Sequence, residues 1–175
     1  MVSRIFEDDL WTDIYNRPTI EGRRRDDLMR INSETLVLPE GIDTPDSLLA
    51  WLMQVAATSI ETFGYVDPTI FAMNGHTIHI FESRDYGSSV TELKKCFSFL
   101  ASEAMAVAGS LKGFVGTAKM EPSGGEGVII LAWDNDTKEV SAGTVVMKRT
   151  ADGWGCSPPQ VVEGKALDDL RLTFF

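Results

Sequence analysis

Thr69-Ile-Phe-Ala-Met73, Asn74-Gly75 and His76-Thr-Ile-His-Ile-Phe81 run in succession, and the fold is read outward from them. Asn-Gly between two apolar runs is the preferred pair for a type I′ hairpin, because both turn residues need positive φ. An Asn74–Gly75 loop sets Met73 opposite His76, Phe71 opposite Ile78 and Thr69 opposite Ile80, with all six side chains on one face. Ile70, Ala72, Thr77, His79 and Phe81 take the other face. Both faces are largely apolar, which predicts a hairpin within a sheet covered on part of each side.

The flanking segments supply helices. Thr44 suits an N-cap, Pro45 the first helical position, and Asp46 the first turn, where the helix dipole favours an anion. Leu49, Leu52, Ala56, Ile60 and Phe63 recur at three and four, and Gly64 supplies the stop, so a helix over 45–63 is expected. Beyond the hairpin, Ser89-Val-Thr-Glu92 fits a capping box. Leu93, Phe97, Leu100, Ala104, Val107 and Leu111 then continue a helical stripe that Gly113 closes. Ala101, Ala104, Ala106, Ala108 and Gly109 thin its second half and permit close approach to a neighbour.

The remaining chain reads as a meander. Phe114–Met120, Val128–Trp133 and Val140–Lys148 are expected strands, joined by turn-rich segments 121–127 and 134–138. Asp152-Gly153 turns again, Pro158-Pro159 blocks regular pairing, and Ala166–Leu172 suits a short last helix. The predicted fold is therefore α+β: an antiparallel sheet of about five strands in the order α-β-β-α-β-β-β, with helices mainly on one face. Residues 44–175 form this single domain. Residues 1–43, charge-rich and broken by Pro18, Gly22, Pro39 and Gly41, form an N-terminal arm. In it Ile5, Phe6, Leu10, Trp11 and Ile14 make one amphipathic helical stripe, and Thr35–Leu38 suits a short strand.

Composition bounds the function. The 175 residues are 43% hydrophobic and 24% charged, with mean hydropathy −0.04, values of an ordinary globular protein. Sixteen Lys+Arg against 26 Asp+Glu give a formal charge of −10. Such a body is repelled by nucleic acid and anionic membranes. The one dense basic cluster, Arg23-Arg24-Arg25, is compensated at once by Asp26-Asp27. Two cysteines, no CxxC and no basic-then-apolar leader point to a cytoplasmic protein of a reducing compartment. No apolar run approaches the roughly 20 residues that span a bilayer.

The element order from residue 44 resembles the roadblock/longin-like layout of small GTPase-regulator and adaptor domains. That resemblance covers about two-thirds of the chain in element order alone, and it implies a small regulatory or ligand-sensing domain.

Few residues carry chemistry. His76 and His79 fall on one strand with opposite parity and cannot share a metal. Cys156 lies in Gly153-Trp-Gly-Cys-Ser-Pro-Pro159, a loop that could present a thiol, and His79 is its candidate base in a small hydrolase. Cys96 reads as core filler. Asp134-Asn135-Asp136 lacks the glycine and glutamate of a calcium loop and reads as a turn. Gly124-Gly125-Glu126-Gly127 lacks the Lys-Ser/Thr of a phosphate loop. Glu103 sits among small residues and is expected to emerge at the helix edge. No metal or cofactor is expected.

Aromatic residues near both ends are more suggestive. Trp11, Trp51 and Trp154, with Leu172-Thr-Phe-Phe175, exceed what one modest core needs, and exposed aromatic surface marks protein contacts. The expected function is therefore non-enzymatic: an acidic adaptor, regulator or inhibitor, of the kind mobile elements encode. Phe6, Trp11, Trp154, Phe174 and Phe175 are the candidate anchors, and acidic rim residues would steer a partner with a basic surface. The thin half of the core helix, or a sheet edge, also suits a homodimer. The alternatives are a hydrolase using Cys156, or Asp and Glu residues, with His79, and a domain sensing a small ligand between sheet and helices.

Overall fold

A computed structural model describes residues 30–35, 40–75, 77–83, 89–120 and 125–175. Among them, eight strands form one antiparallel sheet: β1 (Arg30–Thr35), β2 (Thr69–Asn74), β3 (Thr77–Glu82), β4 (Leu111–Met120), β5 (Gly125–Asp134), β6 (Val140–Thr150), β7 (Gly153–Cys156) and β8 (Gln160–Val162). Their order is β1-β3-β2-β4-β5-β6-β7, with β8 also paired to β6. Three helices accompany them, α1 (Pro45–Phe63), α2 (Val90–Ala104) and α3 (Gly164–Phe174). The α+β class and the antiparallel sheet are as the sequence predicts, and the α-β-β-α-β-β-β order holds from residue 44 through β6. Two further strands, β7 and β8, precede the last helix, so the sheet exceeds the five strands expected.

Local signals and outcome agree best at α1. The Thr44 side chain accepts a hydrogen bond from the Ser47 N–H, and the Ser47 side chain reciprocates at the Thr44 backbone. Gly64 closes the helix at φ +77°, a conformation that disfavours any residue with a Cβ. Leu48, Leu52, Val55, Ala56 and Ile60 turn inward and pack on Phe71, Ile78, Val115, Ile130 and Val145. Removing such a side chain from water is worth about 1.5–3 kcal/mol. Trp51, counted with the surplus aromatics, is buried in this core and meets Phe71 edge to face at 6.0 Å.

Several expectations are corrected. The helices divide two to one between the faces, so the expectation that they lie mainly on one face holds for α2 and α3 and not for α1. α1 covers the cluster built from Phe71, Ile130 and Val145, whereas α2 and α3 cover Ile70, Phe114, Leu131 and Trp133 on the opposite side. The reason is topological. β3 and β4 flank β2 and run parallel to each other, so the chain must cross β2, and α2 makes that crossing.

The hairpin register also differs. Asn74 pairs with Thr77, Met73 with Ile78 and Phe71 with Ile80, which places Gly75 (φ +62°) first in the two-residue loop. This shift moves each side chain by one cross-strand pair and leaves Phe71, Met73, Ile78 and Ile80 on one face, because the strand period is two. His76 lies outside the described residues.

α2 stops at Ala104, so Val107 and Leu111 do not extend its stripe. A Cβ on Gly109 would strike the Met73 carbonyl of β2, so the chain leaves the helix and runs against the sheet there. The close approach that the small residues permit is real, but it occurs at Gly109, beyond the helix. Within the stretch read as an arm, Arg30–Thr35 pairs with β3 as a sheet strand. The 35–38 strand and the Phe6–Trp11 stripe lie outside the described residues, apart from Thr35 itself.

Pairing also continues past Pro158-Pro159. The register changes by one between Met147–Cys156 and Thr144–Gln160. The Ser157 N–H donates to the Val146 carbonyl at 2.9 Å, and the Val146 N–H donates to Ser157 Oγ. Ser157 thus bridges a bulge, and two prolines without N–H groups interrupt the β7–β8 border.

Candidate functional site

The α2–α3 face carries an aromatic assembly contributed by three elements. Phe97 comes from α2, Trp133 from the end of β5, and Phe174 and Phe175 from the end of α3. Phe97 meets Phe114, Trp133, Phe174 and Phe175 at 5.0–5.4 Å between ring centroids, each edge to face. Trp133 meets Phe175 at 5.3 Å. Each such pair contributes about 0.5–1.5 kcal/mol beyond the area it buries.

The two terminal phenylalanines diverge in role. Leu167, Leu170 and Phe174 turn α3 onto the sheet, and Phe174 is a core residue at 6% exposure, so its assignment as a partner anchor is corrected. Phe175 is 56% exposed and Met105, just past α2, is 77% exposed. Between them opens a groove of about 330 Å³, walled by Phe97, Ala101, Met105, Trp133 and Phe175. A second lobe of about 290 Å³ shares Trp133, Asn135 and Phe175 with the first and continues to Lys138 and Arg171.

The β5–β6 turn is the rigid end of this groove. The Asp134 carboxylate accepts from the N–H groups of Asp136 (2.8 Å) and Thr137 (3.2 Å). These two donors hold its pKa below the ordinary carboxylate value. Trp133 Nε1–H donates to Asn135 Oδ1 at 3.1 Å, and the Asn135 N–H donates to the Ser110 carbonyl. Lys138 adopts φ +63°. Asp134-Asn135-Asp136 is therefore a self-bonded turn that locks one wall of the groove.

Three cations line the groove. Lys112 is buried and donates from Nζ to the Gly109 carbonyl at 2.6 Å. Burial lowers its pKa, with Asp136 and Asp134 opposing the shift. Among the described residues, neither Lys138 nor Arg171 forms an ion pair. Among the described residues, Asp134 is the only carboxylate side chain lining the second lobe, and its Oδ1 is already committed to two amides.

The remaining candidates lie elsewhere. Trp154, 37% exposed, sits on β7 with its ring over Gly64 at the end of α1 and beneath the Arg149 guanidinium at 5.5 Å. It is thus on the α1 side, away from Phe175. Cys156 packs towards the α1 cluster, whereas His79 stands opposite Ala72, on the α2 side. Five strand spacings separate β7 from β3, about 24 Å. The structure does not bring thiol and imidazole together. Burial and the neighbouring Glu61 carboxylate also raise the Cys156 pKa, opposite to what a nucleophile needs. Glu103 is exposed, at the edge of α2 as expected.

Apolar spacing places Phe97 in the core helix and Trp133 in a strand. Nothing in that spacing shows that they meet Phe175, and Met105, Lys138 and Arg171 stand in no pattern that marks them. Only the two phenylalanines closing an amphipathic stretch pointed towards this place.

Among the described residues no group of three His, Cys, Asp or Glu side chains is disposed to hold a metal. No helix among them is long and apolar enough to cross a membrane. Comparisons of the chain with protein-family models, with curated proteins and with solved structures found no match.

Proposed function

We propose that this protein acts by docking another protein, as an adaptor, regulator or inhibitor in the cytoplasm, and that the groove between α2, α3 and the β5–β6 turn is its contact surface. The observation that carries the reading is the exposure of Met105 and Phe175 beside an aromatic floor. Large apolar side chains held at the rim of a preformed groove are what a partner's anchor residue covers. A small-molecule site buries about 70–90% of its ligand. Rim residues exposed by 56% and 77% favour a shallow docking surface over such a site. The formal charge of −10 suits a partner whose approaching surface is basic, and it speeds encounter in a salt-dependent way.

Site-specific photo-crosslinking tests the reading. A benzoylphenylalanine placed at Met105 in the native host should give one discrete adduct, and Phe175→Ser should abolish it. The same group at Leu172, 82% exposed but outside the groove, should give none. Equal labelling from both positions, or none from Met105, overturns the assignment. An adduct of twice the chain mass identifies the partner as a second copy.

A further inference from the structure

We infer that the groove reads a segment of the partner chain in which an apolar side chain is followed closely by a carboxylate, an inference that rests on the docking role proposed above. The two lobes differ in chemistry and adjoin across Trp133 and Phe175. The first, about 330 Å³ and large enough for one side chain, is walled by Phe97, Ala101, Met105 and the two shared rings. Ser98, Ser102, Asn135 and Lys112, whose Nζ is bonded to the Gly109 carbonyl, also line it. The second presents Lys138 and Arg171, cations without an ion-pair partner among the described residues. Among the described residues its one carboxylate side chain, Asp134, has an oxygen occupied by the turn's own N–H groups, and the carboxylates on the other side of Arg171, Asp46 and Glu139, line a separate depression.

An incoming carboxylate therefore meets two unpaired cations, whereas an incoming ammonium or guanidinium meets their repulsion. Arg171 offers the planar fork that matches a carboxylate, and Lys138 adds a point charge. The choice of a peptide segment follows from geometry. Side chains three or four apart on a helix stand about 5–6 Å from each other, so one short segment can fill two adjoining lobes. On a protein of charge −10, this is a local exception to the overall field. Net charge governs the approach, and the groove governs what fits at contact.

Isotope-edited NMR titrations with four blocked peptides test the inference, namely Ala-Leu-Ala-Ala-Glu-Ala, its Gln and Lys counterparts at the acidic position, and its Ala counterpart at the leucine. The leucine–glutamate peptide should shift the Trp133 indole N–H and the Asn135 and Lys138 amides. It should bind about threefold more tightly than the glutamine form, as exposed ion pairs allow, with the lysine form weaker still. In the K138N/R171Q double variant that preference should vanish while leucine-dependent shifts at Phe97 and Met105 persist. Asparagine is chosen at 138 because it tolerates the positive φ.

Equal binding of the glutamate, glutamine and lysine forms overturns the acidic-anchor inference. If the Met105 crosslink still forms, the docking role survives it. Absence of saturable groove shifts with every peptide overturns the inference as well, and absence of the crosslink then removes the docking role too. Phenylacetate binding more tightly than any peptide would assign the groove to a small molecule and overturn both.

Discussion

At the scale of single residues, the two thiols and Lys112 show how burial governs reactivity. Cys96 is fully buried, and burial pushes its pKa up to about 12, with a hydrogen bond to Ser83 only partly offsetting that effect. Cys156 is half-buried, and its burial and Glu61 together raise its pKa. Because the thiolate is the reacting form, a disulfide reagent at neutral pH should modify Cys156 slowly and Cys96 only after unfolding. Glu61→Gln should quicken the first reaction, and a native Cys96 that reacts as fast as Cys156 would contradict the burial argument. Lys112 gives a pH signature. Its folded pKa lies below the unfolded one of about 10.4, so between those values the unfolded chain holds more protons and stability rises with pH. Chemical denaturation should show Lys112→Met losing that alkaline rise, so its stability relative to wild type declines as pH climbs through the window. A pH-independent difference would mean that the Nζ–Gly109 hydrogen bond, not desolvation, dominates the site.

Among the elements, those specified by both caps and periodicity were legible, and those shaped by their neighbours were not. α1 runs from Pro45 to Phe63 as predicted because Thr44, Gly64 and the apolar stripe agree. For α2 the apolar spacing predicts too long a helix, because Val107 and Leu111 continue a three-four spacing past Ala104, where the helix stops. That spacing carries no information about the Met73 carbonyl standing where a Gly109 Cβ would be. β1, Arg-Ile-Asn-Ser-Glu-Thr, has one apolar residue and gives hydrophobic patterning nothing to detect. Gly109→Ala and Gly64→Ala separate two causes of glycine dependence. At Gly109 the obstacle is backbone, which cannot swing aside, so alanine should destabilise by about 3 kcal/mol or more. At Gly64 the obstacle is the Trp154 ring, added to an unfavourable positive φ. Trp154→Ala should therefore restore part of the loss from Gly64→Ala in a double-mutant cycle, leaving about 1 kcal/mol of backbone strain. No such rescue is open to Gly109→Ala through any single side chain. Additive effects of Gly64→Ala and Trp154→Ala would show that the ring contact contributes nothing.

At the scale of the whole molecule, the groove was illegible for a reason of topology. Phe97, Trp133 and Phe175 come from three elements whose meeting depends on sheet order and on which face each helix takes. The sequence pattern set the strand parity correctly, and with it the sorting of side chains between faces, but parity does not say which helix covers which face. Net charge, by contrast, is a property of the whole chain and yields a prediction that needs no site. A formal charge of −10 on one small body makes the folded state repel itself more than the expanded chain does. Screening lengths fall from about 10 Å at 0.1 M salt to about 3 Å at 1 M, so added sodium chloride should relieve that repulsion. Each 1 kcal/mol of relief should raise Tm by about 2–4 °C for a chain of this size. Sodium chloride is preferred to sulfate, which strengthens apolar burial in any protein and would mask the effect. The sign is decisive. A Tm that falls with salt would mean that attractive pairs within the fold outweigh the net repulsion.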